Sequence, residues 1–356
     1  MHRTIRVAEN KIVPKLTYND YQFSKNLLEI VGSDVSQTHH STAYACVHCS
    51  NCIFHHSGSS AKESRNSYGC KQGRLTMIVF CRLKGLISFL NSSQGIGFEI
   101  CKKLGASGVK IIAACRNESL GVPAVAKLQA LGYDVEYRNL DLSNDASIAR
   151  FTNDLSEEYS SIDILVNNAG ITYKMNETTS YEEQARAILT TNFFGPMRLT
   201  EAILPMLRKA KAPRIVNVSS QRGLLKILKS ETLKERFTSC PTIQELNSLV
   251  NENLTAVYDR TYGEKCWPHT SYSVSKLALN TLTRVLAKRE AEANPGKNFL
   301  INACCPGYCD TDMTSHKGPR PAEHGARTPA MLALLSEVGP VAPTGKFFYN
   351  DAEINW

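Results

Sequence analysis

Tyr272 and Lys276 stand four residues apart within Thr270-Ser271-Tyr272-Ser273-Val274-Ser275-Lys276, at the start of a helical pattern that runs to about Ala293 and stops before Pro295. Residues four apart share one helical face, so the ammonium is expected near the phenol oxygen. A phenol ordinarily keeps its proton to about pH 10. A neighbouring cation favours the phenolate and lowers that value, which makes proton exchange with a substrate oxygen feasible near neutrality. Hydride transfer to a carbonyl needs such a proton, because the carbon gains hydride while the oxygen gains negative charge. The pair alone says little, since any helix can carry one. Its partners add weight: Val216-Asn217-Val218-Ser219-Ser220 brings a hydroxyl to the carboxyl end of a strand pattern, Asn167-Asn168-Ala169-Gly170 ends the preceding strand, and Asn192 lies in the next helical stretch.

These residues need a scaffold that gathers strand ends. From about Leu86 onward, short β-branched runs alternate with amphipathic helical patterns. Leu86–Leu90, Val109–Ala114, Val135–Asn139, Ile162–Val166, Arg214–Val218 and Asn298–Ala303 read as buried strands, and Gly345–Tyr349 as a final edge strand. Such alternation predicts an α/β fold, a doubly wound, mostly parallel sheet of the Rossmann type, which binds ligands beyond the carboxyl ends of its strands.

The first strand runs into Asn91-Ser92-Ser93-Gln94-Gly95-Ile96-Gly97 and a helix. A Gly-rich turn from strand to helix lets backbone N–H groups approach a pyrophosphate seated on the positive helix N-terminus. The second strand ends Ala113-Ala114-Cys115-Arg116-Asn117, with a cation where an NAD site usually places a carboxylate. Arg116 can face a 2′-phosphate, which favours NADP(H); the competing reading is a solvated surface arginine.

At this point the sequence resembles the short-chain dehydrogenase/reductases. The matching set is Ser93-Gln94-Gly95-Ile96-Gly97, Asn167 to Gly170, Asn192, Ser219-Ser220, Tyr272-x-x-x-Lys276 and Pro306-Gly307, in the family's order across 86–356. Within the family it is similar to the monomeric, NADPH-dependent carbonyl reductases. Ser220 and Tyr272 are 52 positions apart, where most members need little more than a dozen; the insert, about 223–268, contains the capping box Thr242-Ile243-Gln244-Glu245 ahead of an apolar helical stripe. The resemblance implies a monomer with Tyr272 as general acid, Lys276 lowering its pKa and binding the nicotinamide ribose, Ser220 donating to the carbonyl oxygen, and Asn192 holding a water that links Lys276 to solvent. It assigns NADPH/NADP+ to Ser92, Ser93, Gln94, Gly95, Ile96, Gly97, Arg116, Asp141, Leu142, Asn168, Gly307, Cys309, Asp310 and Thr311, together with Tyr272 and Lys276. It puts Tyr173, Lys174, Met175, Gln184 and Ser271 beside a carbonyl substrate or a glutathione moiety. The implied activity is NADPH-dependent reduction of ketones, aldehydes or quinones. An NADP-dependent alcohol dehydrogenase uses the same constellation in reverse. The family's Thr-Gly opening of the nucleotide turn is replaced by Leu90-Asn91, which leaves open a catalytically impaired member.

Composition narrows the alternatives. Charged residues make up 21% of the 356 and hydrophobic ones 42%, ordinary for a globular enzyme. The net charge of +8 belongs mainly to the first 91 residues, with 11 Lys/Arg against 5 Asp/Glu, so the remainder carries no nucleic-acid footprint. The apolar run Leu75 to Leu90 is broken by Arg82 and Lys84 and is too short to span a membrane. With twelve cysteines in a long chain and no secretory signal core, reduced thiols and a cytoplasmic setting are expected. Residues 1–85 lack the α/β rhythm and read as a poorly ordered extension, or as an alternative opening segment joined near residue 91, leaving 86–356 as a single reductase domain. Cys46-x-x-Cys49-x-x-Cys52-x-x-His55-His56 has metal-ligand spacing, but a closed zinc site pairs two knuckles and no second one follows, so no metal is expected.

Overall fold

A computed structural model describes the backbone of residues 76–80 and all of 95–174, 177–335 and 342–356. The element order begins β1 (Thr76–Phe80), α1 (Ile96–Ala106), β2 (Lys110–Cys115), α2 (Glu118–Ala130), β3 (Val135–Asn139), α3 (Asp145–Glu158), β4 (Ile164–Asn167) and α4 (Tyr181–Leu189). A π-helical turn over Thr190–Phe194 leads into α5 (Gly195–Leu207), then β5 (Arg214–Val218) and a 3-10 turn at Gln221–Gly223. After it come α6 (Glu231–Thr238), α7 (Ile243–Tyr258), α8 (Ser271–Ala293), β6 (Leu300–Cys305), α9 (Ala322–Gly325), α10 (Arg327–Ala333), β7 (Phe347–Tyr349) and β8 (Ala352–Ile354).

Among the described residues the eight strands form one sheet in the order β3-β2-β1-β4-β5-β6-β7-β8, parallel throughout except for the antiparallel β7–β8 pair. The order reverses between β1 and β4, and crevices at such a switch point hold ligands. Alternating strand residues feed two cores. Leu165, Ile215 and Ile301, in register across β4, β5 and β6, are fully buried in a cluster with side chains of α3, α5 and α8, whereas Val166 and Val216 join α1 and α2 on the other face. This is the doubly wound sheet that the alternating pattern predicts.

The central strand differs from expectation. Thr76–Phe80 pairs with both β2 and β4, with Met77 opposite Ile111 and Ile164. The sheet thus begins ahead of the expected boundary at 86, and Leu86–Leu90, Leu90-Asn91 and the Cys46–His56 run lie outside the described residues. The physical reason is legible afterwards. Thr-Met-Ile-Val-Phe is an uninterrupted apolar, β-branched run of the kind a strand flanked on both sides needs, and Arg82 and Lys84 end it.

The insert folds as helices. Thr242 Oγ1 accepts from Glu245 N–H at 3.2 Å, starting α7, whose Leu246, Leu249, Val250 and Ala256 are buried in the same cluster as Val274, Leu277 and Leu282 of α8. Phe237 and Trp267 close it edge to face, their ring centroids 6.0 Å apart.

Candidate active site

Val218 ends β5, and the next residues are tied to α8 at several points. Ser219 donates its N–H to Cys304 O (2.7 Å) and its hydroxyl to Lys276 O (3.1 Å). Ser220 is extended, and its Oγ accepts from Arg222 N–H at 3.1 Å, capping the 3-10 turn. Asn280 Nδ2, buried in α8, donates to Gly223 O at 2.9 Å. At Gly223 the turn approaches α8 so closely that a Cβ would lie 2.4 Å from the carbonyl carbon of Lys276. Only glycine fits there.

Tyr272 is half-buried and Lys276 buried on the first turns of α8. Lys276 Nζ donates to Val218 O at 2.8 Å and lies 5.9 Å from the centroid of the Tyr272 ring. The two share a face, as their spacing predicts. The electrostatics run the other way. Burial pushes the Tyr272 phenol up to about 12; hydrogen bonding with Ser220 pulls it down, the Cys305 thiol opposes, and the charge of Arg222 pulls it down. Burial also brings Lys276 down to about 8. The expected lowering of the phenol by the ammonium is therefore not found: desolvation of the phenolate dominates, and Lys276 is engaged with a backbone carbonyl. Tyr272 accordingly holds its proton throughout the neutral range.

Asn192 sits fully buried in the π-helical turn, a distortion frequent at functional sites. Its Oδ1 accepts from Ile171 N–H (2.6 Å), and its Nδ2 donates to Ile171 O (2.9 Å) and Ser275 Oγ (3.1 Å). A Cβ at Gly170 would stand 3.5 Å from both Asn192 Oδ1 and Lys276 Nζ, so these groups border one space. The Met313 methyl reaches the same point at 3.8 Å.

Of the expected nucleotide residues, Arg116, Asp141 and Leu142 line a cavity of about 680 Å³ at the carboxyl ends of β2, β3 and β4, together with the expected substrate contact Tyr173. That volume falls within the roughly 300–1,000 Å³ of cofactor clefts. Arg116 is exposed, and Asp141 Oδ1 is oriented by the N–H (2.9 Å) and Oγ–H (2.7 Å) of Ser143. Gly95 caps α1, and among the described residues nothing lies within 4 Å of where a Cβ would sit, which suits a pyrophosphate; Ile96 and Gly97 follow it into the first turn. Asn168 is half-buried behind β4. The residues present therefore fit a dinucleotide. Ser92, Ser93 and Gln94 lie outside the described residues. Arg186, another exposed cation on the cavity wall, carries no family motif, and no sequence signal marks it.

After β6 the chain turns at Gly307, whose φ of +84° and closeness to Arg320 exclude a side chain. Cys309 is buried, its Sγ donating to Pro306 O at 3.3 Å. Asp310 binds His316 Nδ1 at 2.6 Å, and Thr311 caps the next turn with Thr314. Two expected substrate contacts are engaged elsewhere. Ser271 is buried with its hydroxyl on Tyr181 Oη (3.2 Å), and Gln184 Nε2 donates to Thr179 O (2.8 Å). Both are donors satisfied within the protein, Ser271 by a hydroxyl of α4 and Gln184 by the carbonyl of Thr179 just ahead of its own helix. Tyr173 lines the cavity and Lys174 is exposed; Met175 lies outside the described residues. A further buried chain, Asn167 Nδ2 to Asn217 Oδ1 (2.8 Å) and Asn217 Nδ2 to Thr283 Oγ1 (2.9 Å), couples β4, β5 and α8; asparagines inside apolar strands are its only trace in the sequence. Among the described residues no cluster of three metal-ligating side chains occurs.

Residues 89–230 and 261–322 match the family model described as short chain dehydrogenase. The chain is 36% identical over 272 residues to carbonyl reductase [NADPH] 1 of Mus musculus, covering 74% of this chain and 96% of that one. It is 38% identical over 251 residues to carbonyl reductase [NADPH] 3 of Rattus norvegicus, covering 68% and 88%. The solved structure of salutaridine reductase from Papaver somniferum superposes with a TM-score of 0.66 at 29% identity, covering 77% of this chain and 99% of the other.

Proposed function

This chain belongs to the short-chain dehydrogenase family, and on that premise we propose that it reduces ketones, aldehydes or quinones to alcohols with NADPH. The observation that carries the reading is geometric: Lys276 Nζ lies 5.9 Å from the Tyr272 ring centroid on one face of α8 and donates to Val218 O, at the strand end that leads into Ser220. Bound NADPH supplies the hydride to the carbonyl carbon. Gly95, Arg116, Asp141, Leu142, Asn168 and Lys276 would hold it. As charge gathers on the substrate oxygen, Tyr272 delivers its proton and Ser220 donates a preorganised hydrogen bond. Lys276, brought down to about 8 by burial, is still mostly cationic at neutral pH and, held by Val218 O, would bind the nicotinamide ribose. Asn192, beside Lys276 at Gly170, keeps the second lone pair of its Oδ1 for a water that returns the proton. Tyr272→Phe is expected to remove NADPH oxidation by a quinone while leaving NADPH binding, read by fluorescence titration, near the parent value. Parental turnover by that variant would refute the acid assignment.

A second reading is favoured by one observation: 15 residues, 81–95, separate β1 from α1, where the nucleotide turn is expected to be short and Leu90-Asn91 replaces Thr-Gly. On that reading the chain is an impaired member, and NADPH titration of the parent showing no binding would decide for it. We also propose a monomer, supported by α7 packing on α8. A cytoplasmic setting is supported by the unbridged cysteines Cys304, Cys305 and Cys309; among the described residues no helix is long and apolar enough to cross a membrane. Glutathione conjugates as substrates rest on Tyr173 and Lys174 alone, since Gln184 and Ser271 are engaged within the protein.

A further inference from the structure

We propose that Arg222 selects carbonyl substrates carrying a carboxylate close to the reacting carbonyl, a specificity that rests on the reductase reading above. Arg222 stands two residues beyond Ser220, at the carboxyl end of β5, and its backbone N–H holds the Ser220 hydroxyl at 3.1 Å. Its side chain is exposed, and among the described residues it makes no ion pair and no side-chain hydrogen bond.

An exposed arginine is usually only a solvated surface charge, worth little. Arg222 differs by its place: it stands on the turn that holds Ser220 and abuts Lys276 of α8 at Gly223, and its charge also favours the ionised phenol of Tyr272. An anion placed beside a carbonyl that touches Tyr272 therefore lies within the same field. The guanidinium is planar and always charged, and its fork matches a carboxylate with two parallel hydrogen bonds. Lys174, exposed in the loop after the neighbouring strand β4, adds positive charge on that side of the sheet and raises the local concentration of anionic substrates. The 3-10 turn that carries Arg222 is locked to α8 through Gly223 and Asn280, so the guanidinium projects from a rigid base. Neutral ketones gain nothing from this arrangement. The predicted substrate class is keto acids and other acyl compounds with an anion near the carbonyl.

The test uses phenylglyoxylate and its methyl ester, which present the same ketone with and without the charge. The ratio of their kcat/KM values is compared between the full-length parent and Arg222→Gln, so differences in intrinsic reactivity cancel. The acid-to-ester ratio is expected to fall about tenfold, mainly through KM for the acid, and Arg222→Lys should recover part of it. Added salt should shrink the parental ratio in the same direction. An unchanged ratio in Arg222→Gln overturns the proposal. Quinone turnover by the parent separates the two levels: if the parent reduces the quinone but the ratio does not move, only the role of Arg222 fails. If the parent oxidises NADPH with neither quinone nor ketone, the reductase reading falls and the specificity with it.

Discussion

Replacing Gly223 by alanine tests whether the distance between the Ser220 turn and the catalytic helix sets the rate. The added Cβ would meet the carbonyl carbon of Lys276 at 2.4 Å, the amide nitrogen of Leu277 at 2.6 Å and the carbonyl oxygen of Lys276 at 2.7 Å. All three are backbone atoms of α8, so no rotamer change relieves the contact. Ordinary contact begins at 3.4 Å, so turn and helix must part by about 1 Å. That displacement separates Ser220, three residues upstream, from Tyr272 and Lys276 on the helix. A misplacement of about 1 Å in a catalytic constellation lowers the rate about a hundredfold, equivalent to about 2.7 kcal/mol of barrier. Overpacking should also lower stability by about 1–3 kcal/mol. The assay is kcat/KM for quinone reduction beside urea unfolding and NADPH titration, with a folded, cofactor-binding and slow protein as the expected outcome. Asn280→Ala, which removes the hydrogen bond to Gly223 O, should shift kcat/KM the same way by less. If Gly223→Ala kept the parental rate and stability, the close approach would not be what aligns Ser220 with Tyr272.

Gly95→Ala places a methyl group at the N-terminus of α1 where it meets no described residue, so urea unfolding should be unchanged while NADPH affinity drops by about tenfold; equal affinity would mean that the pyrophosphate lies elsewhere. Arg116→Asp should shift preference from NADPH toward NADH in paired titrations, and an unshifted ratio would move the 2′-phosphate contact to another residue such as Arg186. Lys276→Met should abolish turnover yet raise stability at neutral pH. The folded value of about 8 lies below the ordinary lysine value of 10.5, so the unfolded chain binds the proton more tightly and burial of the charge costs on the order of 3 kcal/mol below pH 8. That cost fades as pH rises from 8 to 10.5, and the variant's advantage, reduced by the lost Val218 bond of about 1 kcal/mol, should fade with it. Urea melts at pH 7 and 10.5 showing a constant difference would refute the assignment.

The strands from Lys110 to Cys305 and the helix from Ser271 follow their sequence patterns to within a residue or two, because buried parallel strands and amphipathic helices have periods that a single chain displays. The opening strand did not follow. Leu86–Leu90 and Thr76–Phe80 are both short apolar runs, and which of them enters the sheet depends on pairing with β2 and β4, interactions that are not local. Ser271 and Gln184 matched a family pattern, but neither partner, Tyr181 Oη or Thr179 O, can be inferred from those positions.

Residue types and order were enough to nominate a chemistry: a phenol and an amine four apart on a helix, a serine ending a strand, and an arginine where an NAD site usually places a carboxylate. The protonation state of that chemistry came only with the tertiary structure. Spacing argues for an acidic phenol, whereas packing removes water from both Tyr272 and Lys276, raises one and lowers the other, and turns the ammonium toward Val218. Desolvation depends on everything that surrounds a group in three dimensions, and the chain's linear order does not encode it position by position.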